Sequence, residues 1–344
     1  IGRNSMNANT TGANNVAVGR NALDANTTAS NNVAVGYGSL GANTTGADNT
    51  AVGTDALAAN TTASYNTAVG HDSLLSNTTA ENNTAAGYYS LRATTTGGDN
   101  TAFGSQVMQL NTTGSSNSAF GRYALLNNST AQENTAIGRS ALQENTTGAS
   151  NVAVGRNALY VNTTGGANTA VGTTALAANT TASNNVGVGY GALAATTTGS
   201  QNTSVGTSSL DANTTGAGNT AMGYGALSAV TTEGNNTAIG RNTLLVNTGA
   251  DNTAVGSAAL TANTTGTLNT AVGYIALDAN TTGNYNTGLG YGALSAATTA
   301  ANNTAVGANA LYVSTTGGDN TALGKSALAA LTTGDNCIAI GVDT

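Results

Sequence analysis

The chain has 344 residues, a formal net charge of −7, 46 glycines, no proline, no tryptophan and only 7% charged residues. Disordered chains are usually rich in charge and proline, and collagen needs a three-residue glycine period, so this composition indicates neither. The sequence contains no run of 18 apolar residues that could span a membrane, and its acidic balance argues against a nucleic-acid-binding surface.

One glycine recurs every 17 residues and divides the chain into repeats. This marker glycine stands at positions 2, 19, 36, 53, 70, 87, 104, 121, 138, 155, 172, 189, 206, 223 and 240, and then at 256, 273, 290, 307, 324 and 341. Only the step from Gly240 to Gly256 is one residue short, because Asn-Thr-Thr-Gly has become Asn-Thr-Gly at 247–249. The repeats predict one domain over residues 1–344, with no separate second domain. A position number counts residues from the marker glycine: position −1 precedes it and position +4 follows it by four.

The first element of each repeat is a short predicted strand at positions −3 to −1, as in Thr50-Ala51-Val52. Alternation places the Thr and the apolar −1 residue on one face, and the asparagine at −4 and the alanine at −2 on the other. We expect the apolar −1 column to lie in the core, including Val18, Val35 and Val52. The near-invariant alanine at −2 then has two interpretations, inward packing or a close approach between chains.

Two corners and a second apolar column follow each strand. The marker glycine predicts a corner that needs a positive φ or a close backbone approach, at Gly19, Gly36, Gly53 and Gly70 among others. Leucine or methionine at +4 is the second predicted core column, which includes Leu23, Leu40 and Leu57. Position +10 is mostly Gly or Ala and predicts the second corner.

Asparagine occupies position −4 until Cys337 takes its place in the last repeat. We expect an amide ladder in which each side chain bonds the next, as in stacked cross-β structures. Its first members are Asn15, Asn32, Asn49, Asn66, Asn83 and Asn100. Cys337 is the only cysteine, and we interpret it as a small buried apolar residue in preference to an intermolecular bridge.

The period and the residue types together predict an all-β fold. Seventeen residues are too few for the helix pairs of known helical repeats, and Thr, Val, Gly and Asn disfavour helix. We therefore expect a single continuous parallel β-solenoid (β-roll) of about 20 coils of 17 residues, roughly 100 Å long at about 4.8 Å per coil. One leucine and one valine per coil contribute only about 3–6 kcal/mol, so the coils are expected to be stable only as a stack.

The stretches "NTAIGRSAL" (134–142) and "NTAVGYIAL" (269–277) resemble repeats in the heads of YadA-like trimeric autotransporter adhesins, although those repeats are shorter. The chain more closely resembles 17-residue "NTAxGYxALxxNTTG" repeat proteins of bacterial surface fibres and phage tail-fibre-like proteins. The resemblance covers nearly all of the chain. The resemblance to the adhesin family implies a left-handed parallel β-roll, often trimeric, that is exposed outside the cell.

Few side chains suit catalysis or cofactor binding. His71 is the only histidine, so one chain cannot form a histidine-based triad or a His-rich metal site. The Gly-Lys-Ser stretch at 324–326 lacks the upstream glycine of a phosphate-binding loop, because Asp319 stands there. The acids are too scattered for a calcium site. We expect no catalytic residue, cofactor or metal.

Two columns could carry sugars or contact other molecules. The asparagine at +7 begins Asn-Thr-Thr, an N-glycosylation acceptor in a secreted chain, although stacking also explains it. These acceptors include Asn9, Asn26, Asn43, Asn60, Asn77 and Asn111. Tyrosines at +1 are expected to line one edge, where ordinary surface packing, a neighbouring filament or glycans could account for them.

These features favour a structural subunit of a fibre at the cell surface or outside the cell, polymerising end to end through uncapped solenoid ends into a homopolymer. The alternative is a shaft or head segment of a trimeric adhesin or phage tail fibre, and a host surface or glycans are then possible partners. An ice-binding solenoid is less favoured, because adjacent threonines point to opposite faces. An enzyme is not expected, since the sequence has no non-repeating cluster of charged residues.

Overall fold

The computed structural model describes residues 1–344 as an all-β chain of twenty parallel strands with no helix, which confirms the predicted β-solenoid of 17-residue coils. The chain forms two compact units, residues 1–171 and 172–344. The strands of the first unit are β1 (Val16–Val18), β2 (Val33–Val35), β3 (Thr50–Val52), β4 (Thr67–Val69), β5 (Thr84–Ala86), β6 (Thr101–Phe103), β7 (Ser118–Phe120), β8 (Thr135–Ile137), β9 (Val152–Val154) and β10 (Thr169–Val171). Those of the second unit are β11 (Val186–Val188), β12 (Thr203–Val205), β13 (Thr220–Met222), β14 (Thr237–Ile239), β15 (Thr253–Val255), β16 (Thr270–Val272), β17 (Thr287–Leu289), β18 (Thr304–Val306), β19 (Thr321–Leu323) and β20 (Ile338–Ile340).

Within each unit, every strand pairs in parallel with the next strand along the chain. In the first unit Val16 lies opposite Val33, and the same 17-residue offset continues to β10. In the second unit Val186 lies opposite Thr203, and the pairing continues to β20. Each side chain therefore stacks on its equivalents in the neighbouring coils.

The middle residue of each strand points inward, and the last residue points outward. Ala51 and Ala254, at position −2, are fully buried. The expectation that Val18, Val35 and Val52 lie in the core is wrong: Val18 and Val52 are 41% and 36% exposed, and Val35 is half-buried. The predicted alternation along the strand is present, but the face that was expected to point inward points outward, and the other face points inward. Of the two interpretations of the alanine column, inward packing is the one observed.

The space behind the strand explains this exchange, because it is too small for a valine. Two repeats have glycine at −2, and there an added Cβ would lie 3.3 Å from the side chain of Leu176 (at Gly187) or Leu277 (at Gly288). An alanine methyl group thus already contacts the leucine, and the two branched methyl groups of a valine would overpack the space. The core leucines at +4 are fully buried, including Leu23, Leu40 and Leu57.

The marker glycine forms a corner where successive coils approach closely. Its φ is 138° at Gly19 and 132° at Gly70, a region in which any other L-residue is strained. A Cβ on Gly53 would lie 2.4 Å from the carbonyl oxygen of Gly70 in the next coil. Conformation and close approach therefore both require glycine here.

The core leucine adopts a left-handed backbone conformation, which the sequence did not indicate. Its φ is 50° at Leu23 and 49° at Leu40, and the substituting Met108 has 46°. This conformation costs a non-glycine residue roughly 1–2 kcal/mol. Full burial of a leucine side chain contributes about 1.5–3 kcal/mol and offsets that cost.

The repeat that is one residue short lies in the second unit and keeps its strand register. Thr237 of β14 lies opposite Thr253 of β15, sixteen residues further on. The missing residue comes from the Asn-Thr-Thr corner, where Asn247 Nδ2 donates to the Gly249 carbonyl at 2.7 Å, two residues away instead of three. The corner thus absorbs the change in length.

Candidate functional site

The +7 asparagines form a buried amide ladder between coils. Asn43 is fully buried, and its Nδ2 donates to Asn26 Oδ1 at 3.1 Å and to the Gly46 carbonyl at 2.9 Å. Asn60 repeats the pattern, donating to Asn43 Oδ1 at 2.9 Å and to the Ala63 carbonyl at 3.0 Å. Each amide donates to the preceding coil and accepts from the following one, so the ladder has a direction along the stack.

The ladder is interrupted where position +7 is not asparagine. The substituted positions are Thr94, Thr196, Val230, Ala297, Ser314 and Leu331. The Oδ1 atoms of Asn77, Asn213 and Asn280 are buried and lack a hydrogen-bond partner, and each lies one coil before a substitution. These three acceptors therefore mark the coils at which the ladder is cut, and each such cut costs stability.

The predicted ladder at −4 is present, but its principal bond differs from the expected one. Asn15 Oδ1 accepts from the backbone N–H of Asn32 at 2.9 Å, while Asn32 Nδ2 donates to the Gly46 carbonyl at the second corner of its own coil, also at 2.9 Å. Bonds between amide side chains occur at some coils only, as from Asn100 Nδ2 to Asn83 Oδ1 at 3.1 Å. This ladder mainly ties side chains to backbone.

The bonds of the +7 ladder leave no room for a glycan on the folded chain. Five of the six proposed acceptors are fully buried: Asn26, Asn43, Asn60, Asn77 and Asn111. The Nδ2 of each donates to the +7 side chain of the preceding coil and to the carbonyl at the second corner of its own coil, so a sugar on Nδ2 would remove a bond and need space in the core. Of the two interpretations of these asparagines, stacking is the one observed for these five. Asn9 is half-buried and donates to the Gly12 carbonyl at 3.0 Å.

In each unit the strands present an uncharged face to the solvent, called here the sheet face. It is formed by an apolar column at position −1 and a column at position −3 that is mostly threonine. In the first unit Phe103 and Ile137 are each 42% exposed, and the rings of Phe103 and Phe120 stack with centroids 5.3 Å apart. In the second unit Met222 and Leu323 are similarly exposed. Positions −3 and −1 hold no charged residue in any repeat.

Two exposed columns border the sheet face and differ in charge. The basic edge, at +1, holds seven of the eight Lys and Arg residues: Arg3, Arg20, Arg122, Arg139, Arg156, Arg241 and Lys325. It also holds six exposed tyrosines: Tyr37, Tyr88, Tyr190, Tyr224, Tyr274 and Tyr291. The acidic edge, at −5, holds Asp48, Asp99, Glu133, Asp251 and Asp319. The basic edge has no acid and the acidic edge has no base.

One cluster near the basic edge departs from the repeat. Arg92 Nε lies 3.2 Å from Asp72 Oδ2, and His71 Nδ1 lies 3.3 Å from Asp72 Oδ1. The rings of Tyr88 and Tyr89 stack at 3.8 Å, and a hydrogen bond with Tyr89 raises the pKa of Tyr88. Nowhere in the chain do three or more His, Cys, Asp or Glu side chains come together as metal ligands could.

Cys337 takes the ladder position in the last coil. Its backbone N–H donates to Asn320 Oδ1 at 2.8 Å, so the asparagine before it is still satisfied. The side chain is half-buried, so it is more exposed than the buried apolar residue that the sequence predicted.

The chain contains no helix with the length and hydropathy of a membrane span. No protein-family model and no curated protein matches this chain.

Proposed function

We propose that the chain is a structural subunit of a fibre at the cell surface or outside the cell, in which coils of successive chains stack head to tail. The observation that carries this proposal is the contact between coils, which repeats in strand register throughout each unit and in a buried amide ladder at most coils. Such a contact is heterologous, because one side of a coil fits the opposite side of the next. Heterologous contacts that do not close into a ring produce open polymers.

The hydrogen bonds between coils also give a fibre of this kind a direction. The +7 amides donate to the preceding coil, whereas the threonines after them donate to the following one. Thr44 Oγ1 donates to the Thr61 carbonyl at 3.0 Å, and Thr61 Oγ1 to the Thr78 carbonyl at 3.2 Å. At the last coil Leu331 stands at +7 and cannot accept from an amide, so the threonine bonds are the ones that a second chain can continue. They can do so only when both chains point the same way, which favours a polar fibre.

The distribution of side chains supports a mechanical role. Each coil commits its inward residues to packing or to bonds with its neighbours, and charged residues are only 7% of the chain. Stability in such arrays accumulates from contacts between adjacent repeats. Length and resistance to local unfolding are then the properties that the repeats supply.

Electron microscopy and fibre diffraction of the purified chain test the proposal. We expect filaments many times longer than a single chain, with an axial repeat of about 4.8 Å. A globular protein fused after Thr344 is the control, because it would cover one stacking surface and shorten the filaments. Discrete particles near the single-chain length at every concentration would contradict polymerisation. They would favour the shaft of an adhesin or tail fibre instead.

A further inference from the structure

The sheet face has a feature that stacking of coils does not use. Within each unit it is uncharged, with an apolar column at −1 beside a threonine-rich column at −3, and it lies between edges of opposite charge. The first unit carries Arg3, Arg20, Arg122, Arg139 and Arg156 on its basic edge. Its acidic edge carries Asp48, Asp99 and Glu133. All eight side chains are exposed. Uncharged strands bordered in this way resemble one half of an interface with a charged rim.

We propose that the sheet face binds the sheet face of a second copy of this chain, with the two solenoids parallel and related by a two-fold axis along the direction of stacking. That rotation turns one face against the other and exchanges left for right. The basic edge of each copy then lies over the acidic edge of its partner, on both sides of the pair. An antiparallel pair would place basic edge against basic edge, and like charges oppose such an arrangement.

The order of the charges along the chain fits a pair without stagger. Arg139 and Glu133 flank the same strand, β8, so at zero stagger each meets its opposite at the same height. In the second unit Lys325 and Asp319 flank β19 in the same way. Glu133 Oε2 also accepts a hydrogen bond from Ser150 Oγ at 3.1 Å, which holds the carboxylate at the edge.

The area of the face is sufficient for a stable pair. Each unit has ten strands. At a spacing of about 4.8 Å and an edge-to-edge width on the order of 20 Å, they give roughly 900 Å² per unit, comparable with the ~800 Å² that each partner buries in a standard interface. Outward residues such as Phe103, Phe120 and Ile137 supply the apolar centre that such interfaces need.

Charged substitutions on the face test the interface. The triple variant Phe103→Glu, Phe120→Glu and Ile137→Glu is expected to convert the pair into single chains, measured by light scattering after size exclusion. The control is the triple variant Leu110→Glu, Thr96→Glu and Thr113→Glu, which adds the same charge at exposed sites elsewhere. Circular dichroism checks that both variants keep the β fold.

A charge exchange within one coil tests the parallel, unstaggered arrangement. Arg139 and Glu133 lie six residues apart across an extended strand, on the order of 15–20 Å, too far to contact each other within one chain. Arg139→Glu is expected to weaken pairing about tenfold at low salt, and adding Glu133→Arg to restore it. A pair strengthened by Arg139→Glu would indicate antiparallel chains and overturn the arrangement.

The proposed pairing does not depend on the proposed polymerisation, and different results would contradict each of them. If chains pair without polymerising, light scattering gives twice the chain mass and microscopy shows only short particles. If they polymerise, the triple face variant is expected to halve the filament width and leave the filaments long. Single chains at the highest soluble concentration, or three chains in cross-section, would overturn the proposal.

Discussion

Removing one amide from the +7 ladder should open a coil locally, and the structure allows the cost to be calculated for Asn60→Ala. The variant loses the bonds of Asn60 to Asn43 Oδ1 and to the Ala63 carbonyl, together with the bond it accepts from Asn77 Nδ2. The Ala63 carbonyl keeps a second donor, Asn49 Nδ2 at 2.9 Å. Two buried polar groups therefore lose a partner: Asn43 Oδ1 and one N–H of Asn77.

Each buried group left without a partner costs about 1–3 kcal/mol, so the expected loss is about 2–6 kcal/mol in local stability. Long repeat arrays open locally rather than in one step, and hydrogen exchange measures that opening. Since about 1.4 kcal/mol corresponds to a factor of ten, amides in the coils around residue 60 should exchange roughly 30-fold to 10⁴-fold faster.

The assay is hydrogen exchange with mass spectrometry on peptides that cover residues 57–80. The matched control is Thr62→Ala, which removes an exposed side chain from the same corner and should change stability by less than about 0.5 kcal/mol. If Asn60→Ala alters exchange no more than Thr62→Ala does, the buried ladder contributes little and the argument for it is refuted.

Three further substitutions test other parts of the structure. Val230→Asn replaces valine by a side chain of similar volume and should give the unpartnered Asn213 Oδ1 a donor. It should stabilise that coil by about 1 kcal/mol, measured as slower hydrogen exchange there; faster hydrogen exchange would contradict an interrupted ladder. Gly53→Ala should cost more than about 3 kcal/mol, because its Cβ meets the backbone of the next coil; an unchanged melting temperature would contradict the close approach. Burial raises the pKa of Asp211 above 3.8, because it disfavours the charged carboxylate. The stability that the protonated carboxyl contributes is therefore present below pH 3.8 and lost as the pH rises through the folded-state pKa. Asp211→Asn should therefore raise the melting temperature at neutral pH and not below pH 3.8, and an equal rise at both would exclude titration as the cause.

The repeat period and residue types were enough to predict the parallel solenoid, because seventeen residues rich in Thr, Val, Gly and Asn fit few other folds. They did not fix which face of the strand is inside. Val and Ala both suit a strand, and only the packing shows how little room the interior leaves: a Cβ added at Gly187 would lie 3.3 Å from the side chain of Leu176. The left-handed conformation of Leu23 was equally hidden, since leucine gives no signal for positive φ.

The asparagine columns were predicted unevenly. The ladder at Asn15 and its equivalents was expected, but its bonds to backbone N–H groups depend on corner geometry that a sequence does not specify. The column at Asn43 had two interpretations, glycosylation acceptors, because Asn-Thr-Thr matches that motif, or a stacked ladder. The structure shows the ladder. The sequence contained a sign of stacking: asparagine fills most of that column, and the period continues through the repeats that lack it. The opposite charges at +1 and −5 could have been found from the aligned repeats alone.

The sixteen-residue repeat shows that the Asn-Thr-Thr corner tolerates a different chain length while strand register is kept. The same corner is therefore a suitable site for inserting foreign peptides. Segments placed at equivalent corners of one unit would be displayed in a row at multiples of about 4.8 Å, the spacing between coils. A chain of this kind can serve as a molecular ruler on which the distance between displayed groups is chosen by counting repeats.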